Sequence, residues 1–274
     1  MESELCRYGT ERITVESLQR WWLVLFSCLF FFFVGCAREI PTYEPADLPV
    51  SLVLEQLEQR RNHFSSLRAV GALKVKEGKQ RWSGRAFLIT RIPHSLRLEI
   101  VGFLGEPLLY VASDGVQFLA WEPGRNRAYH GLASDSTLAS LINFPLTDGE
   151  ALLLMAGIVP AWDFREAKLF KLRDSEDLML QLEDNPALQT LRVWLEGDGL
   201  TVTRIERVLG GERDLAATFA DFVDIEGFLY PKRIAVEGEK FHLSLQYKEF
   251  AVNEPLNQDA FHLALPEGVE VLPW

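Results

Sequence analysis

The chain is poor in the residues that cross-link a domain or bind metals. Its three cysteines are Cys6, Cys28 and Cys36, so the sequence beyond residue 36 can form neither a disulfide framework nor a thiolate metal site. The five histidines are scattered singly, as solvated or packed histidines are. Positive charge is also scarce, because 28 Lys and Arg stand against 39 Asp and Glu, and the net charge of −11 argues against nucleic acid as a partner. We therefore expect no metal, no cofactor and a fold held together by its hydrophobic core.

The motifs of common enzyme classes are absent too. The sequence contains no G-x-S-x-G, no H-E-x-x-H, no phosphate-binding loop and no G-x-G-x-x-G pattern. Carboxylate pairs such as Glu237 and Glu239 are explained by a solvated acidic surface. We predict that the protein is not an enzyme. A hydrolase stays open as an alternative, since catalytic sites can be built from residues distant in sequence.

One long apolar run is present, at residues 21–34. It falls short of the roughly 20 residues that span a bilayer as a helix, but it has the length of the hydrophobic region of a signal peptide. Arginines precede it, and Val34-Gly35-Cys36 resembles the end of a bacterial lipoprotein signal, although Phe33 replaces the usual leucine. We predict that residues 1–35 are a lipoprotein signal peptide and that Cys36 becomes the lipid-modified N terminus.

This prediction also suggests a location. Ala37 follows the cysteine, where an aspartate would resemble the retention signal for the inner membrane, so we expect a lipid anchor in the outer membrane and a domain facing the periplasm. Residues 36–48 are interpreted as a flexible tether and residues 49–274 as one domain. The alternative is an uncleaved anchor helix, because the segment before the apolar run is unusually acidic.

Hydrophobic spacing predicts helices in two places. Pro49 is suited to the start of a helix, and Val53, Leu57 and Phe64 then form one apolar stripe. In the middle of the chain a short helix is predicted at residues 135–142. The pattern Thr147-x-x-Glu150 matches a capping box before a second, almost wholly apolar helix at residues 151–155.

The rest of the sequence alternates with a period of two, which is typical of half-buried antiparallel strands. Leu73 and Val75, for example, alternate with Lys74 and Lys76, and Asp114-Gly115 marks a hairpin turn. So many consecutive strands joined by short turns predict a single, strongly curved sheet. The expected fold is α+β and mainly β: an incomplete, unclosed barrel of about 11 antiparallel strands with helices covering its mouth.

Four segments in order resemble the LolB-like outer-membrane lipoproteins of the LolA/LolB-like superfamily. They are residues 70–75 (VGALKV), 83–87 (SGRAF), 96–105 (LRLEIVGFLG) and 154–160 (LMAGIVP). Near the end, residues 261–268 look like the C-terminal strand of that superfamily. The resemblance implies an apolar cavity that holds the acyl chains of client lipoproteins, which a LolA-like periplasmic carrier supplies and which pass into the lipid of the outer membrane.

The resemblance also assigns a membrane-contact loop. In that family a loop ending in Pro-Leu-Gly projects an exposed leucine, and Leu104 falls on that position while Phe103 replaces the proline. The residues alone point the same way, since two large apolar side chains between glycines in a turn cannot easily bury themselves. The alternative is that both fold back into the end of the barrel.

Aromatic and sulfur side chains on the predicted strands and lid helix are candidates for the wall of an acyl cavity, which needs apolar surface. The candidates are Trp82, Phe87, Tyr110, Phe118, Trp121 and Met155. At strand spacing such residues are also ordinary core. The same fold therefore allows a second function, an envelope-assembly or scaffold lipoprotein that binds a protein partner while its interior is filled by side chains.

Overall fold

The computed structural model describes residues 42–134, 146–184, 188–197 and 200–274. Cys36, the predicted signal peptide and the predicted helix at residues 135–142 lie outside these residues. Thr42–Trp274 forms one compact unit that contains every described helix and strand. Because this segment has the whole of the described core, we expect it to fold by itself. Within the described part of the chain, no helix combines the length and apolarity that a membrane crossing requires.

Strands make up most of the domain. Among the described residues they are accompanied by two α-helices, α1 (Val50–His63) and α2 (Asp148–Met155), and by two short 3-10 turns, Pro123–Arg125 and Gln258–Phe261. The strands are β1 (Tyr43–Pro45), β2 (Ser66–Glu77), β3 (Gln80–Arg91), β4 (Ser95–Val101), β5 (Pro107–Ser113), β6 (Gln117–Glu122), β7 (Arg127–Leu132), β8 (Glu166–Leu172), β9 (Leu178–Asp184), β10 (Gln189–Glu196), β11 (Thr201–Leu209), β12 (Glu212–Ile225), β13 (Phe228–Gly238), β14 (Phe241–Val252) and β15 (Glu270–Pro273).

These described strands form a single sheet that does not close. Its order is β1-β8-β9-β10-β11-β12-β13-β14-β2-β3-β4-β5-β6-β7-β15, and neighbouring strands are antiparallel except for the parallel pair β7 and β15. The mainly β, unclosed and curved sheet predicted from the alternation is therefore confirmed. The two edges are formed by the short strands β1 and β15, and short edge strands limit pairing with other chains.

The connections place both helices on the same side of the sheet. The chain leaves edge strand β1 and returns through α1 to β2, in the middle of the sheet. It later crosses from β7, next to one edge, through α2 to β8, next to the other. Both helices contribute to one hydrophobic core with the strands, through residues such as Val53 and Leu57 of α1 and Leu152 and Leu154 of α2.

Strand register separates a face toward the helices from an outward face. Side chains directly opposite each other on paired strands share a face. Ile234, Leu245 and Leu73 form one such row across β13, β14 and β2, and all three are buried. On the outward face, exposed polar residues alternate with them, as Lys74 and Lys76 do in β2.

Two glycines explain why the sheet can bend where the resemblance motifs lie. A Cβ atom on Gly84 would stand 2.3 Å from the carbonyl oxygen of Val101, and one on Gly71 would stand 2.5 Å from that of Gln246. Both distances are impossible for a real side chain. The missing Cβ atoms therefore let β3 approach β4, and β2 approach β14, more closely than other residues would allow.

Two of the local sequence signals form the predicted structures, and a third differs in detail. Thr147 and Glu150 form the predicted capping box at the start of α2. Asp114 and Gly115 form the predicted turn, in which Asp114 Oδ1 accepts the N–H groups of Val116 and Gln117, each at 2.8 Å. These two bonds hold the pKa of the Asp114 carboxyl below its usual value. Pro49 precedes α1 as its N-cap instead of occupying its first turn.

Three expectations need correction. The described sheet has 15 strands instead of about 11. The segment interpreted as a flexible tether includes β1, because Tyr43–Pro45 pairs with β8 in register. The last strand is Glu270–Pro273, whereas residues 261–268 contain no strand. There Phe261 is buried, with the guanidinium of Arg91 above its ring at 4.8 Å.

Candidate functional site

The turn between β4 and β5 carries the most exposed large apolar side chains in the described chain. Phe103 is 99% exposed and Leu104 is 90% exposed. We call these two residues the apolar tip. Their exposure excludes the alternative that they fold back into the end of the sheet. Water-exposed apolar surface of this kind, on adjacent residues, marks a contact site.

The backbone of this turn is held in place by hydrogen bonds, although Phe103 stands where the resemblance predicts a proline. Gly102 N–H donates to the Glu106 carbonyl at 2.7 Å, and Gly105 N–H donates to the Gly102 carbonyl at 3.1 Å. The Glu106 carboxylate accepts the N–H of Leu104 at 3.0 Å. Gly105 has φ +88°, which a residue with a side chain rarely adopts. Glu106, which the sequence reasoning missed, therefore organises the turn and leaves the apolar side chains in solvent.

The β2/β3 hairpin emerges beside the apolar tip. Because β2, β3, β4 and β5 are consecutive antiparallel neighbours, the β2/β3 and β4/β5 turns lie at the same end of the sheet. The last pair of β3 with β4 is Arg85 with Val101, so β3 continues beyond β4 along the flank of the tip. The hairpin and the tip thus present adjacent surfaces.

A groove of about 540 Å³ lies at this same end of the sheet, across β13, β14, β2 and β3. Val75, Trp82 and Leu243 also border it, but strand register directs their side chains to the opposite face, toward the helices. The other side chains are mainly polar or charged. They include Lys74, Lys76, Arg81, Ser83, Glu237, His242 and Ser244. The groove therefore lies on the outward face and is lined by charged and hydroxyl side chains, unlike a dry acyl pocket.

The face of the sheet toward the helices is covered. Val53 and Leu57 of α1, Leu152 and Leu154 of α2, and Ile158 just after α2 are all buried. They pack against sheet residues in a single hydrophobic cluster. Apolar material thus occupies the place where the resemblance implies an acyl chain, and it is supplied by the two helices and the segment after α2.

The six candidate lining residues do not line one cavity. Register places Trp82 and Phe118 on the face toward the helices, and Met155 ends α2. Phe118 is buried and meets the ring of Trp274 edge-on, at 5.6 Å between centroids. Trp82 is 41% exposed near the end of the β2/β3 hairpin. These three residues are therefore distributed among a hairpin end, a packed edge and a helix end.

The other three candidates, Phe87, Tyr110 and Trp121, lie on the outward face, which corrects the prediction. Phe87 stands opposite Glu99, which stands opposite Tyr110, which stands opposite Trp121. The rings of Tyr110 and Trp121 stack at 5.2 Å with planes 19° apart. The sequence contained the signal that separates Trp82 from Phe87: an odd separation along one strand puts two side chains on opposite faces.

Each helix is also fixed to the sheet by a polar contact. The Tyr247 hydroxyl on β14 donates to the carbonyl of Met155, at the end of α2, at 2.9 Å. Complete burial raises the pKa of Tyr247, so the hydroxyl keeps its proton and remains a donor. From α1, the buried Arg60 guanidinium donates to the Leu229 carbonyl and lies 5.6 Å from the centre of the Tyr230 ring. Burial lowers the pKa of Arg60.

Titratable groups offer little else that resembles a reaction centre. Within the described ranges, no group of three or more histidine, cysteine or acidic side chains is arranged to hold a metal ion. Lys168 and Glu183 form a partly exposed ion pair at 3.3 Å. The side-chain hydrogen bond with Glu166 contributes most to the raised pKa of Lys168, and the bond from Gln181 contributes most to the lowered pKa of Glu183. Such a surface cluster contributes little to stability.

Comparison with solved structures identifies the fold. A domain from Vibrio parahaemolyticus that is assigned to outer membrane lipoprotein sorting has a TM-score of 0.50 at 10% identity, covering 78% of this chain and 97% of its own. A DUF1329 family protein from Desulfovibrio piger has a TM-score of 0.52 at 11% identity, with the same coverage of 78% and 97%. A LolA superfamily protein from Nitrosomonas europaea has a TM-score of 0.47 at 13% identity, covering 79% and 98%.

The chain therefore shares its fold with the first two of these proteins, which is consistent with the LolA/LolB-like fold that the sequence resemblance implied. No family model and no curated protein matches the sequence. The particular features of its own surface are the apolar tip and the groove beside it.

Proposed function

We propose that this protein is a non-enzymatic lipoprotein of the outer membrane that accepts the acyl chains of client lipoproteins and helps to insert them into the membrane. The observation that carries the proposal is the apolar tip on a LolA/LolB-like sheet. Phe103 and Leu104 are 99% and 90% exposed, so packing against the described residues does not explain these two large apolar side chains, and Glu106 fixes the turn that presents them.

The lipid anchor belongs to the same proposal. Acyl chains on Cys36 tether the domain to the outer membrane from the periplasmic side, because each buried methylene contributes about 0.8 kcal/mol and two or more chains give stable anchoring. A tethered domain keeps its apolar tip close to the bilayer. Labelling cells with a clickable palmitate analogue tests this step: wild-type protein should incorporate the label, and a Cys36→Ala variant should not.

The acyl chains of a client occupy the interface between the helices and the sheet. This interface is already apolar on both sides, through residues such as Leu152 and Leu245. A chain can enter it only where a helix moves aside, since the buried side chains of α1 and α2 cover the sheet. Release needs no nucleotide, because the bilayer buries the acyl chain at least as well as the protein does.

Depletion of the protein in cells tests the proposal directly. Clients should accumulate away from the outer membrane, and the depleted strain should recover when wild-type protein is supplied. Correct placement of all other lipoproteins after depletion would refute the proposed function. Mass spectrometry of the purified domain under native conditions adds a second test, in which co-purified or exchangeable lipid supports acyl binding.

A specific observation favours a second function, an envelope-assembly scaffold. The face toward the helices is covered by buried side chains, with Val53 and Ile158 wholly shielded from solvent. A permanently packed interior suits a domain that binds a protein partner through its outer surfaces. Under this alternative the purified domain carries no lipid, takes up none, and is recovered from cells with a stoichiometric protein partner.

A further inference from the structure

The outward face of the β2/β3 hairpin concentrates positive charge in an acidic protein. Lys74 and Lys76 in β2 and Arg81 in β3 are exposed, and all three line the groove next to the apolar tip. We call these three residues the basic hairpin face. The chain as a whole has a net charge of −11, so this concentration of cations is a local departure from its average.

Register makes the arrangement unfavourable in the isolated protein. Lys76 stands directly opposite Arg81 in the β2/β3 pair, and Lys74 stands opposite Ser83. Like charges directly opposite on neighbouring strands repel each other and destabilise the pair. On the other side of the groove, Glu237 faces His242 across β13 and β14, at 4.0 Å between Oε1 and Nδ1. The negative charge of Glu237 therefore lies two strands away from the Lys76 and Arg81 pair.

Two serine hydroxyl groups lie on the same outward face as these cations. Ser244 and Ser83 stand opposite Lys74 on its two neighbouring strands, so the three residues form one cross-strand row on the outward face. Ammonium, guanidinium and hydroxyl groups are the usual donors to phosphate oxygens. The groove thus offers cations and hydroxyl donors immediately beside the apolar tip, at one end of the sheet.

The geometry points to a bilayer rich in anionic phospholipid as the occupant of this surface: the apolar tip enters the acyl region while Lys74, Lys76 and Arg81 engage lipid phosphates. This inference rests on the proposed function and specifies the membrane it uses. Charge complementarity carries it, since Lys or Arg near an anionic leaflet contributes to binding and apolar side chains alone do not distinguish anionic from neutral lipid. A partner without negative charge would leave the repulsion between Lys76 and Arg81 in place.

Vesicle flotation with the segment 42–274 tests the inference without the contribution of a lipid anchor. Vesicles of phosphatidylcholine alone are compared with vesicles of phosphatidylcholine and phosphatidylglycerol. The triple variant K74Q/K76Q/R81Q is compared with K171Q/R233Q/K248Q, which removes the same charge at exposed sites away from the hairpin turn. Circular dichroism checks that both variants are folded.

The inference predicts that wild-type protein prefers the anionic vesicles. At about fivefold for each cation near an anionic surface, the hairpin variant should lose about 100-fold in affinity for these vesicles and little for neutral ones. The control variant should keep most of the preference. Raising the NaCl concentration from 0.05 to 0.5 M should bring wild-type binding toward its value on neutral vesicles, because salt screens the attraction.

Equal binding of wild-type protein to both kinds of vesicle would overturn the inference, and so would equal losses in the hairpin and control variants. Selective capture of an acidic protein with no preference for anionic vesicles would also overturn it. Uptake of an acylated peptide, measured on the same samples, separates this result from the proposed function. A preference for anionic vesicles without acyl uptake supports the inference and counts against acyl transfer. Acyl uptake without a preference for anionic vesicles supports acyl transfer and overturns the inference.

Discussion

Replacing Leu104 by glutamate should impair membrane contact and leave the fold intact. The side chain is 90% exposed, so the substitution removes almost no packing, and the free energy of unfolding should change by less than about 0.5 kcal/mol. In contact with a bilayer the leucine would be buried instead. Its burial contributes about 1.5–3 kcal/mol, which the glutamate both loses and opposes with its charge.

The expected result is therefore a loss of at least about tenfold in partitioning to neutral vesicles, at 1.4 kcal/mol for each factor of ten. Flotation measures the partitioning, and thermal unfolding followed by circular dichroism measures stability. In cells, delivery of clients should fall with the partitioning. The hydrogen bond from Leu104 N–H to Glu106 involves the backbone, so the turn itself can persist in the variant.

Leu132→Glu is the matched control. Leu132 is 77% exposed and ends β7, which runs toward the opposite end of the sheet from the apolar tip. It should behave like wild-type protein in both assays. Equal partitioning of Leu104→Glu and wild-type protein would refute the reasoning, as would equal losses in Leu104→Glu and Leu132→Glu. A large loss of stability in Leu104→Glu would show that the side chain packs against the protein.

Three further predictions concern the fold. Gly84→Ala should destabilise the domain by about 2 kcal/mol or more in denaturant unfolding, because its Cβ would stand 2.3 Å from the Val101 carbonyl oxygen, whereas Gly124→Ala, with open space around it, should cost much less. Tyr247→Phe should cost about 1–3 kcal/mol in the same assay, because the buried Met155 carbonyl loses its donor. The lowered pKa of Asp114 stabilises the fold above the carboxyl's unfolded pKa, and this stability is lost as the pH falls through the lower folded pKa. Asp114→Asn should therefore reduce the fall in melting temperature on the acid side. An unchanged acid-side slope would contradict this prediction.

The strand-rich part of the fold could be predicted because its signals are local. Alternation of apolar and polar residues marked β2 and its neighbours, and the Asp114-Gly115 turn and the Thr147 capping box each depend on contacts within a few residues. The edge strands gave no such signal. β1 has three residues and is defined by its pairing with β8, far away in the sequence, so its composition resembled a linker.

The candidate site could likewise be predicted only where its signals are local. Exposure of Phe103 and Leu104 followed from their position between glycines, but the role of Glu106 depends on how the turn closes. The prediction that Phe87 and Tyr110 line a cavity was wrong because it used their aromatic character and not the alternation of side chains between the two faces of a strand. Ala86 and Leu88, which flank Phe87, are buried on the face toward the helices, so alternation alone assigns Phe87 to the outward face.

The contacts of α2 decide between the two proposed functions. An acyl chain can replace the apolar contacts of Leu152 and Leu154, because such contacts have no direction, but it cannot accept or donate the hydrogen bond between Tyr247 and Met155. If acyl chains enter beneath α2, that bond is an obstacle to uptake, and Tyr247→Phe should bind an acylated peptide faster than wild-type protein. If the interior is a permanent core of a scaffold, the same variant should be less stable and still take up no acyl chain. Stopped-flow binding of a fluorescent acylated peptide to both proteins separates the two outcomes.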